Sequence, residues 1–408
     1  MRKNKIKLYG SYYRYKRNKV IVRNFITASI LLIGVAATLI FTNKLKLQDV
    51  AALFSMGIQS SKQAMEPFFL EQVDTKYEVH TAKPPIKGVY LPATNMARLD
   101  ELIKLANETE VNGMIIDIKN DNGYLTFSTD NPKLQSAVKE KPAIPNMDEV
   151  IDKLYANNIY PIARIVAFKD NVYTKVNPDQ AVQTADSSVY QTSKGESWLN
   201  PYDKRNWEYL LEISKEAINL GFKEIQFDYI RFHESMEGKD LNFPTDKSKT
   251  EIITEFVAYM TEALHPYGVN VSADVFGTII TSKIDAEIVG QDYRELIKHL
   301  DYICPMIYPS HYGEGSFGIA HPDLQPYDLI LEVMQYSNMI ISEIPRNERM
   351  AEVRPWLQDF TASWLSSYQE YGDEQVQDQI KATYDALGSE WLLWNGAGKY
   401  HSNALEQE

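Results

Sequence analysis

Cysteine is almost absent from this chain of 408 residues, in which Cys304 is the one cysteine. A single thiol excludes an intrachain disulfide framework and a zinc site built from several cysteines. No HExxH or H-x-x-x-H pattern points to a metal site, no G-x-S-x-G to a serine esterase, and no G-x-G-x-x-G follows the first strand-like run. We therefore predict no metal and no cofactor. With 18 prolines and 19 glycines, the composition also excludes collagen and disorder and is typical of a globular protein.

Acidic residues outnumber basic ones after the first 23 residues. The formal net charge is −13, and residues 1–23 carry nine Lys or Arg and no acid, so the remaining residues sum to −22. A body this acidic repels phosphate backbones. The charge therefore argues against a nucleic-acid partner.

One uncharged run, residues 24–43, is long enough to cross a membrane as a helix, since twenty residues at 1.5 Å each span about 30 Å. The basic residues before it predict a cytoplasmic tail over 1–23, a signal anchor over 24–43 and an outside location for everything after Lys44. A cleaved signal peptide and a buried helix are the alternatives. A stalk over 44–85 precedes a folded domain over 86–400, so we expect a single-pass protein of the cell membrane with an extracellular domain.

Within 86–400, short β-branched runs alternate with longer segments of helical period. This pattern predicts βα units and a parallel sheet. Eight strand-like runs with seven intervening helices predict the α/β class and a (β/α)8 TIM barrel. The runs lie at 87–92, 113–119, 160–168, 223–230, 269–276, 302–309, 354–360 and 390–395.

Alternation along each run predicts which side chains face the barrel interior. The inward polar and aromatic side chains gather toward the C-terminal strand ends, where barrel enzymes place their chemistry. A buried salt bridge, for example between Arg164 and Asp117, is the structural alternative for a single pair. The inward polar and aromatic set comprises Asp117, Lys119, Arg164, Gln226, Asp228, Asn270, Ser272, Asp274, Tyr308, Trp356 and Gln358.

Asp228 ends the fourth run and Asp274 lies near the end of the fifth, so adjacent strands about 4.8 Å apart should hold both carboxyl groups over one cleft. Glycoside hydrolysis needs such a pair: one group protonates the departing oxygen, and the other attacks the anomeric carbon or activates water. Asp117 with Lys119 is predicted to bind substrate or tune charge. Arg231 could hold a carboxylate or bind sugar hydroxyls, with a surface ion pair as the alternative.

Aromatic side chains near the same strand ends suit a carbohydrate ligand, because the C–H faces of sugars stack on aromatic rings. Trp198, in the loop between about Lys169 and Arg205, is the main candidate for such a platform, and each aromatic could instead be part of the core. The predicted substrate-binding set is completed by Arg164, Tyr308, His311, Trp356, Gln358 and Trp394.

Seven strings carry a resemblance: IKGVYLP, VNGMIIDIKNDNG, PIARIVAFKD, WLNPY, GFKEIQFDYIRF, VSADVFG and DYICPMIYPSHY. Together they resemble the glycoside hydrolase domain of bacterial cell-surface proteins, over roughly Ile86 to Trp394. The resemblance implies a TIM barrel with a glycosidase-like site. A more distant similarity to α-amylase-type barrels implies that Asp228 is the nucleophile. In those barrels the acid is a Glu, whereas this chain has Asp274. The chitinase-type pattern does not transfer, because Ile230 stands where its acidic Glu would be.

These observations predict a glycoside hydrolase that acts on an extracellular or cell-wall polysaccharide, with Asp228 as nucleophile or base and Asp274 as acid. A carbohydrate-binding or cell-envelope scaffold protein without catalysis is the alternative, because a fold by itself does not fix a function.

Overall fold

The computed structural model describes residues 84–244 and 246–406. Its strands match the predicted runs within a few residues, because each run is rich in Val, Ile and aromatic residues that suit a pleated, buried surface. The strands are β1 (Lys87–Leu91), β2 (Gly113–Lys119), β3 (Tyr160–Val166), β4 (Glu224–Asp228), β5 (Asn270–Phe276), β6 (Tyr302–Met306), β7 (Glu352–Val353), β8 (Trp356–Gln358) and β9 (Trp391–Trp394).

These strands close into an eight-stranded parallel barrel. β1 pairs with both β2 and β9, so that Val89 lies opposite Met114 on one side and Leu393 on the other. The seventh position is shared by β7 and β8, which both pair with β6 and are separated by Arg354 and Pro355. Proline has no N–H to donate to a ladder, which accounts for the interruption. The closed parallel sheet confirms the predicted (β/α)8 TIM barrel.

Helices connect the strands and pack on the outside of the sheet. In α5, for example, the Phe256 ring lies 4.8 Å from that of Phe168 and 5.6 Å from that of Phe227, which faces outward from β4. The helices are α1 (Leu99–Glu108), α2 (Met147–Ala156), α3 (Tyr173–Val176), α4 (Lys204–Asn219), α5 (Lys249–Leu264), α6 (Lys283–Val289), α7 (Tyr293–Leu296), α8 (Pro326–Glu343) and α9 (Asp373–Asp385).

A smaller apolar cluster fills the barrel interior, including Ile115, Ile162, Cys304 and Leu392. The interior is crowded: a Cβ on Gly88 of β1 would lie 2.7 Å from a methyl carbon of Leu392. A packed interior of this kind directs ligands to the ends of the barrel.

The predicted cytoplasmic tail, signal anchor and stalk fall on 1–85, nearly all of which lies outside the described residues. Among the helices of 84–244 and 246–406, none has the length and apolar character needed to cross a membrane. The signal anchor over 24–43 therefore stays a prediction.

Candidate active site

Asp228 and Asp274 meet at the C-terminal end of the barrel. β4 and β5 pair with Phe227 opposite Ala273, which places Asp228 and Asp274 beside each other on neighbouring strands, about 4.8 Å apart at the backbone. Asp228 has an exposed fraction of 7% and Asp274 of 2%. The structure thus brings the two predicted catalytic carboxyl groups together at one rim.

Arg164 of β3 balances the charge of Asp228. Its Nε and Nη2 donate to Oδ2 of Asp228 at 3.1 and 2.6 Å, while the backbone N–H of Tyr229 donates to Oδ1 at 2.6 Å. Charge-assisted hydrogen bonds of this kind fix a carboxylate in one orientation. The Asp228 carboxylate is therefore held rigidly at the end of its strand.

The same arginine binds two further carboxylates. Its Nη1 donates to Asp117 at 2.6 Å and its Nη2 to Asp121 at 3.2 Å, and the Tyr90 hydroxyl donates to the other oxygen of Asp117 at 2.5 Å. Burial raises the pKa of Asp117, and the charge of Arg164 opposes that shift. The buried Arg164–Asp117 salt bridge exists, but it is part of a larger group that we call the rim cluster: Asp117, Asp121, Arg164, Asp228 and Asp274.

Asp274 differs from the other members of the rim cluster. No ion pair formed by the described residues includes it, and its Oδ1 accepts a hydrogen bond of 2.6 Å from the Trp356 indole. Burial first, and then the charge of Asp228, raise the pKa of Asp274 well above its usual range. Burial thus favours the protonated form of Asp274, whereas Asp228 beside it is paired with the Arg164 guanidinium. Such a difference in environment between two neighbouring carboxyl groups is what acid-assisted hydrolysis requires.

Backbone strain marks the residue that follows Asp228. Tyr229 has a φ of 53°, a left-handed conformation that is unfavourable for a bulky L-residue. Its ring lies 5.0 Å from the Lys169 ammonium and 5.2 Å from the Arg231 guanidinium. Surrounding contacts thus hold a turn that aims the Tyr229 N–H at the Asp228 carboxylate.

Aromatic rings form the wall beside the two carboxyl groups. Trp394 is half-buried, stacks on Tyr90 with ring centres 4.2 Å apart, and meets Trp356 edge-on at 5.6 Å. Tyr308 is 6% exposed and Trp356 1%. Trp394 therefore offers a partly accessible ring next to the rim cluster, while Trp356 supports Asp274 from within.

Several predicted substrate contacts are buried structural groups in this fold. Lys119 and Gln358 have no exposed surface: Lys119 pairs with Asp170 at 2.9 Å, and Gln358 donates to Asp323 at 3.1 Å. Trp198, expected to be a platform, is 1% exposed. These positions support the rim from beneath and offer a substrate almost no surface.

Arg231 also lies apart from the carboxyl pair. It pairs with Glu234 at 3.0 Å and packs on the Phe276 ring at 4.4 Å. Arg164, and not Arg231, holds the Asp228 carboxylate, and the ion pair of Arg231 with Glu234 matches the ion-pair alternative. The period-two alternation places Arg164 inward but cannot show which arginine reaches Asp228.

Four rim residues are missing from the sequence-based site. Tyr90 lies in the interior cluster from β1, and Phe360 shares the parity of Trp356 and Gln358 in the predicted run 354–360, so alternation could have found both. Asp121 and Trp364 follow strand ends in segments with no periodicity. His311, which was predicted, is exposed and meets the rings of Tyr308 and Trp364 edge-on. No group of three or more His, Cys, Asp or Glu side chains within the described part of the chain is arranged to hold a metal ion.

Comparison with known families identifies the domain. A family model described as "Putative glycosyl hydrolase domain" matches residues 88–400, well over half of the chain. The chain belongs to this family. That assignment confirms the family resemblance seen in the sequence, and the glycosyl hydrolase domain covers every strand from β2 to β9 and nearly all of β1.

Solved structures resemble this glycosyl hydrolase domain to different degrees. A hypothetical protein from Ruminiclostridium thermocellum ATCC 27405 is 41% identical, covers 46% of this chain and 97% of its own, and has a TM-score of 0.42. The PgaB (BpsB) glycoside hydrolase domain from Bordetella bronchiseptica is 11% identical, covers 80% of this chain and 100% of its own, and has a TM-score of 0.58, which shows a shared fold. No curated protein matches the chain.

Proposed function

We propose that this protein is a glycosidase that hydrolyses glycosidic bonds in an extracellular or cell-wall polysaccharide. One observation carries the proposal: two neighbouring carboxyl groups stand in opposite environments, Asp228 against a guanidinium and Asp274 in a buried setting that raises its pKa. Family membership supports the same reaction class. The Bordetella domain of similar fold is itself described as a glycoside hydrolase domain.

In the proposed reaction, Asp274 donates its proton to the glycosidic oxygen as the bond to the anomeric carbon breaks. Asp228 either attacks that carbon or removes a proton from the attacking water. The Trp356 N–H already engages Oδ1 of Asp274, so we assign the transferable proton to Oδ2. Arg164 acts as a positioning residue, because it fixes Asp228 through two nitrogens. Trp394 and Tyr308 are the proposed ring contacts for the sugar beside the scissile bond.

To test this proposal, the full chain is incubated with a panel of cell-envelope and plant polysaccharides. Released reducing ends and product masses report hydrolysis. Asp228→Asn should abolish product while leaving binding in place. Asp301→Asn is the matched control, since Asp301 accepts a hydrogen bond from the backbone N–H of Val271 at the N-terminal end of β5. Hydrolysis that persists in Asp228→Asn would rule out this pair as the catalytic one.

A second candidate, a carbohydrate-binding or scaffold protein without catalysis, is favoured by the low exposure of the pair. Asp274 is 2% exposed, and Asp228 is already engaged at both oxygens. This candidate predicts that the unsubstituted chain and Asp228→Asn bind the same glycans and that neither releases product.

We also propose that the domain acts outside the cell, anchored by residues 24–43. The uncharged run and the basic residues that precede it support this placement. Two measurements test this placement. Protease added to intact cells should digest the domain, and alkaline extraction of untreated membranes should leave the chain in the membrane fraction. A domain that is protected in intact cells would contradict this placement.

A further inference from the structure

A cluster of partly or fully exposed rings lies beyond the carboxyl pair, on the segments that follow β6 and β8. Trp364 is 65% exposed and stacks on Phe360 with ring centres 6.0 Å apart and planes 21° apart. His311, after β6, meets Phe360 at 6.3 Å and Trp364 at 6.5 Å, nearly perpendicular to both. We call Phe360, Trp364 and His311 the outer platform.

The loop that carries the outer platform is anchored at its base. Asp323, which is 2% exposed, accepts hydrogen bonds from the Gln369 N–H at 3.2 Å and from the Gln358 side chain at 3.1 Å. Its backbone oxygen accepts from the Tyr371 hydroxyl at 3.2 Å. Trp364 is therefore presented by an ordered loop, and a ligand that binds there has less conformational entropy to overcome.

Ring contacts connect the outer platform to the catalytic pair. Tyr308 meets Phe360 at 5.7 Å and His311 at 5.2 Å, and it shares the interior cluster with Trp356, the residue that donates to Asp274. A continuous chain of ring contacts thus leads from Asp274, through the buried Trp356 and Tyr308, to the exposed face of Trp364.

The chemistry of this surface suits a sugar chain. Exposed rings provide faces for sugar C–H groups, and a polar group between them provides a hydrogen-bond partner for a hydroxyl. His311 is that group, with its Nδ1 2.9 Å from the Ser310 hydroxyl. At the rim, three carboxylates bind one arginine, and the chain after residue 23 carries −22. This field disfavours polyanionic glycans and favours neutral ones.

Resting on the proposed glycosidase function, we propose that the outer platform is a binding subsite for the part of a neutral polysaccharide that extends away from the bond being cleaved. The enzyme then recognises several sugar units at once, so a longer oligosaccharide binds more tightly than a short one. Removing the exposed ring should abolish that advantage of length and leave the reacting groups intact.

The experiment compares the full chain with Trp364→Ala on ladders of two to six units of neutral glucan, mannan, xylan and N-acetylglucosamine oligosaccharides. Binding is measured on an array and by titration. We expect Trp364→Ala to weaken binding of the longest oligomers about tenfold and to leave the shortest unchanged. Trp364→Phe keeps a ring and should retain most of the affinity. Tyr267→Ala is the matched control, because Tyr267 is 51% exposed and precedes β5 at the opposite end of the barrel.

The outcomes separate this inference from the function on which it rests. Equal binding of all lengths by Trp364→Ala and the unsubstituted chain overturns the subsite, even where Asp228→Asn abolishes hydrolysis and the glycosidase proposal stands. Absence of length-dependent binding by the unsubstituted chain in every neutral ladder also overturns it. Length-dependent binding that needs Trp364, with no product from any variant, supports the subsite and counts against the glycosidase.

Discussion

The barrel holds buried charge at both ends, and the two groups are built differently. At the N-terminal end, Arg354 donates to Glu224 at 2.8 Å and to Glu390 at 2.6 Å, and the Tyr302 ring covers it at 3.6 Å. We call Glu224, Arg354 and Glu390 the base cluster. None of its members is more than 9% exposed. At the other end, one arginine binds three carboxylates, and the side chain of Asp121 is 49% exposed.

The comparison shows that buried charge alone does not mark a functional site. In the base cluster the arginine pairs with both acids, and their surroundings are closed. In the rim cluster Asp274 has no partner among the ion pairs of the described residues, and the side chain of Asp121, another member, is 49% exposed. An excess of carboxyl groups beside an opening is what distinguishes the end that can do chemistry.

Replacing one buried carboxyl group at each end of the barrel should have the most unequal effect on activity. Burial raises the pKa of both Asp274 and Glu224. Asp274→Asn removes the proposed acid and should lower kcat on the order of 10²- to 10⁴-fold. Glu224→Gln should leave kcat per folded molecule within about twofold, because Glu224 lies at the closed end and its charge raises the pKa of Asp274 less than burial and the charge of Asp228 do. Steady-state kinetics on a cleaved glycan, corrected for folded fraction, measures both; equal losses would erase the proposed distinction.

Removing each arginine should cost more stability at the N-terminal end than at the rim, the reverse of the ranking expected for activity. Arg354→Met leaves Glu224 and Glu390 buried without a cation and should lower the free energy of unfolding by about 3–5 kcal/mol. Arg164→Met should cost only ~1–3 kcal/mol, because water at the rim can solvate the carboxylates that it leaves. Urea unfolding of both variants provides the values.

Kinetics on the same two variants completes the test. Arg164→Met should lower kcat on the order of tenfold to a hundredfold through misplacement of Asp228. Arg354→Met should keep the kcat of its folded fraction. A rim variant as unstable as the base variant, with its kcat intact, would mean that Arg164 is only another structural ion pair.

The pH dependence of stability offers a finer probe of Asp274. Its pKa in the folded state lies above the unfolded value of about 3.9. Between those two values the folded chain keeps a proton that the unfolded chain has released, so the contribution of this group to stability falls as the pH rises. Asp274→Asn should therefore gain stability relative to the parent as the pH rises above about 4. Unfolding curves at several pH values measure the difference, and a constant difference would refute the raised pKa.

Much of the fold, and the core of the site, could be predicted from the sequence. The barrel strands could be predicted because their apolar runs are short and flanked by segments of helical period. Alternation placed Arg164, Asp228 and Asp274 inward, and regular pairing of β4 with β5 kept the two aspartates side by side. Local periodicity suffices where the backbone is regular.

The prediction of side-chain positions failed where the backbone is irregular or where the contact partner lies in a loop. A register shift between Asp117 and Lys119 precedes the point where Lys119 turns to Asp170 rather than to the cleft. Trp198 lies in a loop, where sequence cannot tell an exposed ring from a buried one, and the fold packs it against Tyr229 and His233. Trp364 was not predicted as a site residue for the same reason, although its side chain is 65% exposed. Loop conformation is set by tertiary contacts that no local pattern encodes.

The smallest expected effect comes from two left-handed residues at opposite ends of the barrel. Leu387 has a φ of 66°, is 91% exposed and precedes β9. Leu387→Gly should relieve that strain, stabilise the fold by about 1 kcal/mol and leave kcat unchanged. Tyr229→Gly relieves similar strain but frees the N–H that positions Asp228 and removes ring contacts, so its stability should change little while kcat and its pH profile shift. Thermal unfolding and pH–rate profiles of both variants test this contrast. If Tyr229→Gly gains stability and keeps the parent profile, the strain at the rim has no part in aligning the carboxylate.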